Sequence, residues 1–181
     1  MIGPRMSDDP LVAIRRFGDP VLTAACEPCG RRDVSALADR MLRTVHAFRR
    51  RHGWGRAIAA PQIGEPLRLV ALAIEGHETV LVDPVIEWRS AAVHELWDDC
   101  MSLPEIAVRV LRHERVTVRY LTLGGTEDAF ERADPDLSEL LQHEIEHLDG
   151  VLMTGRMVPG SPIVAHENRH LALTPLTQEH S

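Results

Sequence analysis

The chain has 181 residues, enough for one domain with a substantial buried core. Its 44% hydrophobic content is that of an ordinary globular protein, and a formal net charge of −7 argues against a nucleic-acid-binding surface. Three cysteines, an odd number, do not suggest a disulfide framework, the opening MIGPRMSDDP lacks the layout of a secretory signal, and no apolar run approaches the ~20 residues of a membrane helix. The expectation is a cytoplasmic protein with neither a membrane nor a nucleic-acid partner.

Residues 1–10 are polar and carry prolines, and read as a flexible N-terminal arm. Residues 11–17 have the composition of a short strand, ended by the turn Gly18-Asp19-Pro20. Cys26-Glu27-Pro28-Cys29 is a C-x-x-C with no second pair and no following helix of the thioredoxin kind, so a plain loop is expected. Residues 33–52 predict a helix capped by Asp33, with Val34, Leu37, Met41, Val45 and Phe48 as its apolar stripe. Arg49, Arg50 and Arg51 load its last turn with the charge a helix C-terminus favours, and Gly53 ends it. Residues 55–64 (GRAIAAPQIG) are small and apolar, which lets another backbone approach closely. Gln62 near the end of this run carries an amide able to donate to an oxyanion. A buried strand follows at 67–74, with a hairpin partner at 79–82 that Asp83-Pro84 breaks. Residues 93–97 lead into Asp98-Asp99-Cys100-Met101-Ser102, and 116–123 alternate as a strand turned by Gly124-Gly125, with Phe130 on the returning strand.

Residues 134–150 (DPDLSELLQHEIEHLDG) predict a second helix, capped by Asp134, opened by Pro135 and closed by Gly150. His143 and His147 stand at i, i+4, so both imidazoles leave one face within reach of a shared metal. On a helical wheel Ser138, Gln142, Glu146, Glu139 and Asp149 gather on a solvated side, and Leu137, Leu140, Leu141, Ile145 and Leu148 fill the opposite arc. Glu144 falls inside the apolar arc. A core-facing carboxylate is costly unless a nearby cation holds it, and a metal with a water to deprotonate supplies that reason. A catalytic site of this kind needs a third ligand. The pattern with a later histidine fails, because Met153 stands where that histidine would be. Glu167 is the candidate of a thermolysin-like site, and Cys100 is the other. Val158 to Pro162 end the compact part, and the polar tail holds a second His-Glu-x-x-His, His166 to His170, whose neighbours give it no strong apolar face.

Three stretches in order, GRAIAAPQIG, WDDCMSLPE and QHEIEHLDGVLM, together resemble the peptide deformylases, whose motifs are GxGLAAPQ, EGCLS and HExDH. The resemblance implies an α+β fold in which mixed, mostly antiparallel strands surround a central HExxH metal helix, with a catalytic domain at 11–160 and a C-terminal tail at 161–181. It implies removal of the N-formyl group from formylmethionyl peptides, with release of formate, by a metal-activated water. Cys100, His143 and His147 would hold one divalent ion, Fe2+ natively, with Zn2+, Ni2+ or Co2+ able to replace it. Glu144 would be the general base, and the Gln62 amide and Met101 backbone N–H would stabilise the oxyanion. Gly55, Arg56, Ala57 and Asp99 would contact the substrate. The partner would be an N-formylated peptide or nascent-chain N-terminus, met by a monomer.

The chain departs from the family pattern at Arg56, Ala57, Asp98, Asp99 and Ala107, all near the substrate, and keeps Arg112. These departures leave open another N-formyl or N-acyl amine as substrate, and the thermolysin-like peptidase with Glu167 stands as the further alternative.

Overall fold

In the computed structural model, which describes residues 13–74 and 76–171, the apolar run Leu69–Ile74 forms strand β2 and is buried from Leu69 to Ala73. It pairs with Ala57–Ala59 (β1) on one side and His77–Arg89 (β3) on the other. Val116–Leu121 (β6) and Glu127–Phe130 (β7) continue the sheet, in the order β1-β2-β3-β6-β7 with every pairing antiparallel. Alternate residues of β2 serve two cores. Leu69, Ala71 and Ala73 pack against Leu37, Met41, Val45 and Phe48 of helix α1, Ser35–His52. Val70 and Leu72 pack against Leu140, Leu141, Ile145 and Leu148 of helix α2, Pro135–Leu148. A strand covered on both faces must be apolar at every position, and β2 therefore shows no polar alternation.

A second sheet, Val93–Asp99 (β4), Ile106–His113 (β5) and Val164–Ala165 (β8), has the order β4-β5-β8 and is also antiparallel. Cys100 leaves the end of β4 in a turn closed by Leu103 N–H donating to the Cys100 carbonyl at 2.9 Å. Among the described residues no helix is long and apolar enough to cross a membrane.

Several elements differ from the sequence reading. Within the stretch read as a first strand, residues 13–17 form none; Arg15 N–H bonds the Gln62 carbonyl and Phe17 N–H the Ser102 carbonyl, so this segment ties two loops of the site together. Asp83-Pro84 does not end β3. Asp83 takes a left-handed φ of 50° and the register shifts between Val82 and Val85, a bulge whose carboxylate accepts from the N–H groups of Cys29 and Gly30. Cys26 and Cys29 are buried free thiols, and burial pushes both up to about 11, so neither is a ready nucleophile. Helix α1 begins after Val34, with Asp33 accepting from the Ser35 N–H. Strand β5, absent from the sequence reading, lies between β4 and β8. Residues beyond 160 re-enter the structure through β8. The N-terminal arm and the tail after residue 171 lie outside the described residues.

The largest correction concerns α2. Ser138 and Gln142, read as solvated, are buried at 0% and 5% exposure. Ser138 Oγ and Gln142 Nε2 donate to the His113 carbonyl, and Gln142 Oε1 accepts from the His113 N–H, which stitches the polar side of the helix to the end of β5. The helix is thus enclosed on its leucine side by one sheet and on its polar side by the other. Hydrogen bonds to a strand end replace water on that polar side.

The cap of α2 provides a test. Gly150 has φ +72°, and a Cβ there would lie 2.7 Å from the Thr23 carbonyl oxygen, whereas at Gly53, φ +80°, it would meet nothing within 4 Å. Gly53→Ala should cost about 1–2 kcal/mol for the left-handed backbone alone. Gly150→Ala should cost roughly 1–3 kcal/mol more, because backbone must move. Urea unfolding midpoints of the two variants measure the difference.

Candidate metal centre

The site is assembled where the end of β4 meets α2. One helical turn separates His143 from His147, and the turn after Asp99 brings Cys100 up to them. The donor atoms of the three side chains lie within 4.8 Å of one another and all three residues are buried. Cys100 Sγ is 3.3 Å from His147 Nε2, and it faces the Ser102 N–H at 3.4 Å and the Gln62 side-chain amide at 3.5 Å.

Gln62 is itself held. Its Oε1 accepts from the Ala59 N–H at 2.8 Å, which turns Nε2 toward Ser102 Oγ and the cluster. The short helical turn Ala60–Ile63 behind β1 fixes this geometry. Small residues there, Ala57, Ala59 and Ala60, are fully or nearly fully buried, and larger side chains would push the turn off the helix.

The outer shell is charged. Nδ1 of His143 lies 2.8 Å from Asp98 Oδ1, off the ring N–H axis, and Asp98 Oδ2 accepts from Arg112 at 2.7 Å. Arg112 reaches Glu146 at 2.6 Å with its other terminal nitrogen, and Glu146 also pairs with Arg156. Burial opposes the Asp98 charge, but the His143 ring and the Arg112 guanidinium overrule it and hold the carboxyl down at about 2. Burial would likewise strip the proton from His143, and Asp98 beside it raises the ring well above the usual histidine value. At His147 burial and the neighbouring His143 act together and push the ring well below that value. Asp98 thus fixes the His143 ring with its Nδ1 outward, leaving Nε2 for the cluster.

Glu144 stands apart from this network. Its Oε2 is buried with no hydrogen-bond partner among the described residues, and so is Nδ1 of His147. Burial pushes the Glu144 carboxyl up to about 7, against the opposing pull of the His143 ring. One thiolate and two imidazoles suit a borderline or soft divalent ion, and an orphaned carboxylate beside them finds its missing partner once such an ion and its solvent are bound. The residues present fit a metal ion.

The structure places every expected site residue around one cavity of about 370 Å³ except His147, which closes the cluster from behind. Gln62, Cys100, Met101, His143 and Glu144 line it, as do Gly55, Arg56, Ala57 and Asp99. Arg56 forms ion pairs with Asp136 and Glu139, so Glu139 is a half-buried partner and not a solvated residue. Burial raises the Glu139 carboxyl, and Arg56 counters it. A charge inside an otherwise small and apolar run was the signal that an acid had to face it. Trp54, Trp97 and Arg169 also line the cavity, and no local pattern marked them. Glu167 is exposed and outside the cluster.

Comparison with known proteins bears directly on this arrangement. The chain matches the family model for polypeptide deformylase over residues 11–162. A peptide deformylase from Acidobacterium capsulatum is 37% identical over 152 residues, covering 80% of this chain and 85% of the relative. One from Treponema pallidum is 34% identical over 146 residues, covering 80% and 86%. Among solved structures, a peptide deformylase from Synechococcus elongatus in complex with actinonin superposes with a TM-score of 0.77 at 28% identity, covering 88% of this chain and 85% of that one. The Thermus thermophilus peptide deformylase superposes with a TM-score of 0.73 at 34% identity, covering 81% and 85%.

Asp98→Asn tests the outer shell twice. Metal affinity, read by competition with a chelator, should fall about 10–100-fold because the His143 ring loses its anchor. The metal-free protein should also change its acid response. A carboxyl held at about 2, against an ordinary 3.8, contributes stability that is fully present above pH ~4 and is lost as pH falls through about 2. The variant should be less stable than the parent by about 2 kcal/mol at neutral pH, with the gap closing in acid unfolding curves below pH ~3.

Proposed function

Since the chain belongs to the polypeptide deformylase family, we propose that it removes the N-formyl group from formylmethionyl peptides at the start of nascent chains, yielding formate and a free amine. The observation that carries this reading is the buried carboxylate of Glu144, whose Oε2 has no hydrogen-bond partner among the described residues, beside the Cys100, His143 and His147 cluster.

Cys100, His143 and His147 would hold a divalent ion, which when bound would supply Lewis acidity toward the formyl carbonyl and lower the pKa of the attacking water. Ferrous iron is the resident ion in this proposal, with zinc, nickel or cobalt as replacements, a choice that follows the family resemblance and the thiolate–imidazole donor set. Glu144 takes the proton of the attacking water and returns it to the departing nitrogen. A carboxyl near 7 is matched to both transfers at neutral pH. The Gln62 Nε2–H, already aimed at the cluster, and the Met101 N–H hold the oxygen that becomes negative as water adds to the formyl carbon. The C–N bond then breaks, the nitrogen leaves with the proton from Glu144, and formate carries the second oxygen. Strand β1 is an edge of its sheet, so Gly55, Arg56 and Ala57 can pair with an extended peptide as an added strand, with Asp99 on another wall. Nascent chains as substrate place the reaction in the cytoplasm.

One feature favours a second reading, in which another N-formyl or N-acyl amine is the substrate. The ion pairs of Arg56 with Asp136 and Glu139 set charge on the cavity wall beside the cluster, and burying an apolar side chain against them is costly. The peptidase alternative has no such support, because Glu167 is exposed.

Formate release from formyl-Met-Ala-Ser by protein loaded anaerobically with ferrous iron is the direct test. Glu144→Gln should lower kcat by about 10²–10⁴-fold with metal content unchanged. Gln62→Ala should lower kcat by roughly 10²–10³-fold. A fully loaded protein that releases no formate from this peptide would move the assignment to the second reading.

A further inference from the structure

The second His-Glu-x-x-His has no part in the metal cluster, yet it lies at the mouth of the same cavity. Strand β8 pairs Val164 with Ala107 and Ala165 with Ile106, which swings His166 and Arg169 against the end of β4. His166 stacks on Trp54 with ring centroids 4.4 Å apart and planes at 21°. Trp54 meets Phe48 edge-on at 4.8 Å, and Phe48 stacks on His52 at 4.2 Å, so an aromatic ladder ties the segment to α1. His166 Nε2 is 3.0 Å from Asp99 Oδ2, and its Nδ1 is 3.2 Å from Arg169 Nη1. Strand pairing, ring stacking and an ion pair thus hold one short turn from three directions.

Arg169 is the outcome of that bracing. Its Nη1 donates to the His166 carbonyl at 2.8 Å and its Nε lies 3.7 Å from Asp99 Oδ2. Its Nη2 has no partner among the described residues, and 36% of the side chain is exposed. The other two cavity-lining arginines are committed elsewhere. Arg49 bonds the carbonyls of Gly55 and Ala73, and Arg56 bonds Asp136 and Glu139. Among the described residues, Arg169 thus lines the cavity with its Nη2 unpartnered. It reaches the cavity from the C-terminal segment, a different element from β1.

We propose that Arg169 binds a main-chain carbonyl or carboxylate of the peptide downstream of its formylated residue, and that residues 164–169 form a wall of the peptide groove. The proposal rests on the deformylase reading and concerns recognition of the chain that follows the reacting bond. Asp99 and His166 are positioning residues for the guanidinium. A neutral acceptor meeting a fixed guanidinium forms a charge-assisted hydrogen bond, and its loss should weaken binding roughly tenfold.

The test compares formyl-Met-Ala-Ser, which has downstream carbonyls, with formyl-Met amide, which lacks them beyond its own residue. In Arg169→Ala the KM for the tripeptide should rise about tenfold more than the KM for the amide, with kcat little changed. Arg169→Lys should recover part of that difference. Equal changes on both substrates, or none, would overturn the proposal. Calorimetric binding of formyl-Met-Ala-Ser to metal-loaded Glu144→Gln, with and without Arg169→Ala, reads the same contact without turnover. A Kd weakened about tenfold supports it, and an unchanged Kd refutes it. If the parent protein releases no formate from either substrate, the deformylase reading falls, and the calorimetric comparison still decides Arg169.

Discussion

The arrangement depends on one buried guanidinium. Arg112, 2% exposed, bridges Asp98 on β4 and Glu146 on α2 from its own place on β5. Three elements that diverge in sequence are held at a common point, and Asp98 passes the constraint on to the His143 ring. A charge buried to this degree is tolerable only when its partners are in place. The same ion pairs tie the second sheet to α2. Cys100, at the end of β4, can then meet the two histidines.

This view makes sense of the Asp98-Asp99 pair that departs from the family pattern. Asp98 points inward and serves His143 and Arg112, while Asp99 points to the cavity mouth and serves His166 and Arg169. Successive residues of a strand face opposite sides, so two adjacent acids could take two unrelated tasks. One holds the His143 ring of the candidate metal cluster, and the other braces a segment that arrives more than sixty residues later. The second His-Glu-x-x-His likewise takes its meaning from Asp99 and Trp54, and its first histidine is a stacked ring in a short helical turn and not a ligand.

How much of this was legible from the chain alone can be judged element by element. The His143/His147 pair, the Asp134 cap, the stripe of α1 and the doubly apolar β2 depend on spacings of a few residues, and each formed as the periodicity implied. The candidate site residues came from three short motifs and a family resemblance, and the structure gathers all of them but His147 about one cavity, with His147 in the cluster behind it. Strand β5 escaped notice because Arg109 and Arg112 interrupt its apolar residues. Ser138 and Gln142 looked solvent-facing because a wheel treats every polar residue as wet. Both errors have one cause: a polar group can be buried when a distant strand end or acid satisfies it, and no local pattern reveals that partner.

The sequence by itself determined the helices, the antiparallel hairpins and the chemistry of the ligand set, since all of these follow from propensity, period and the donor atoms of particular side chains. It also carried the three motifs that place the chain in its family. Only the tertiary structure decided which charges are partners: Arg112 with Asp98 and Glu146, Arg56 with Glu139, Arg169 and His166 with Asp99. Ion pairing needs side chains within about 4 Å, whatever their separation along the chain. Distance in space is a property of the folded sheets and helices, and the order of residues does not contain it until the chain has folded.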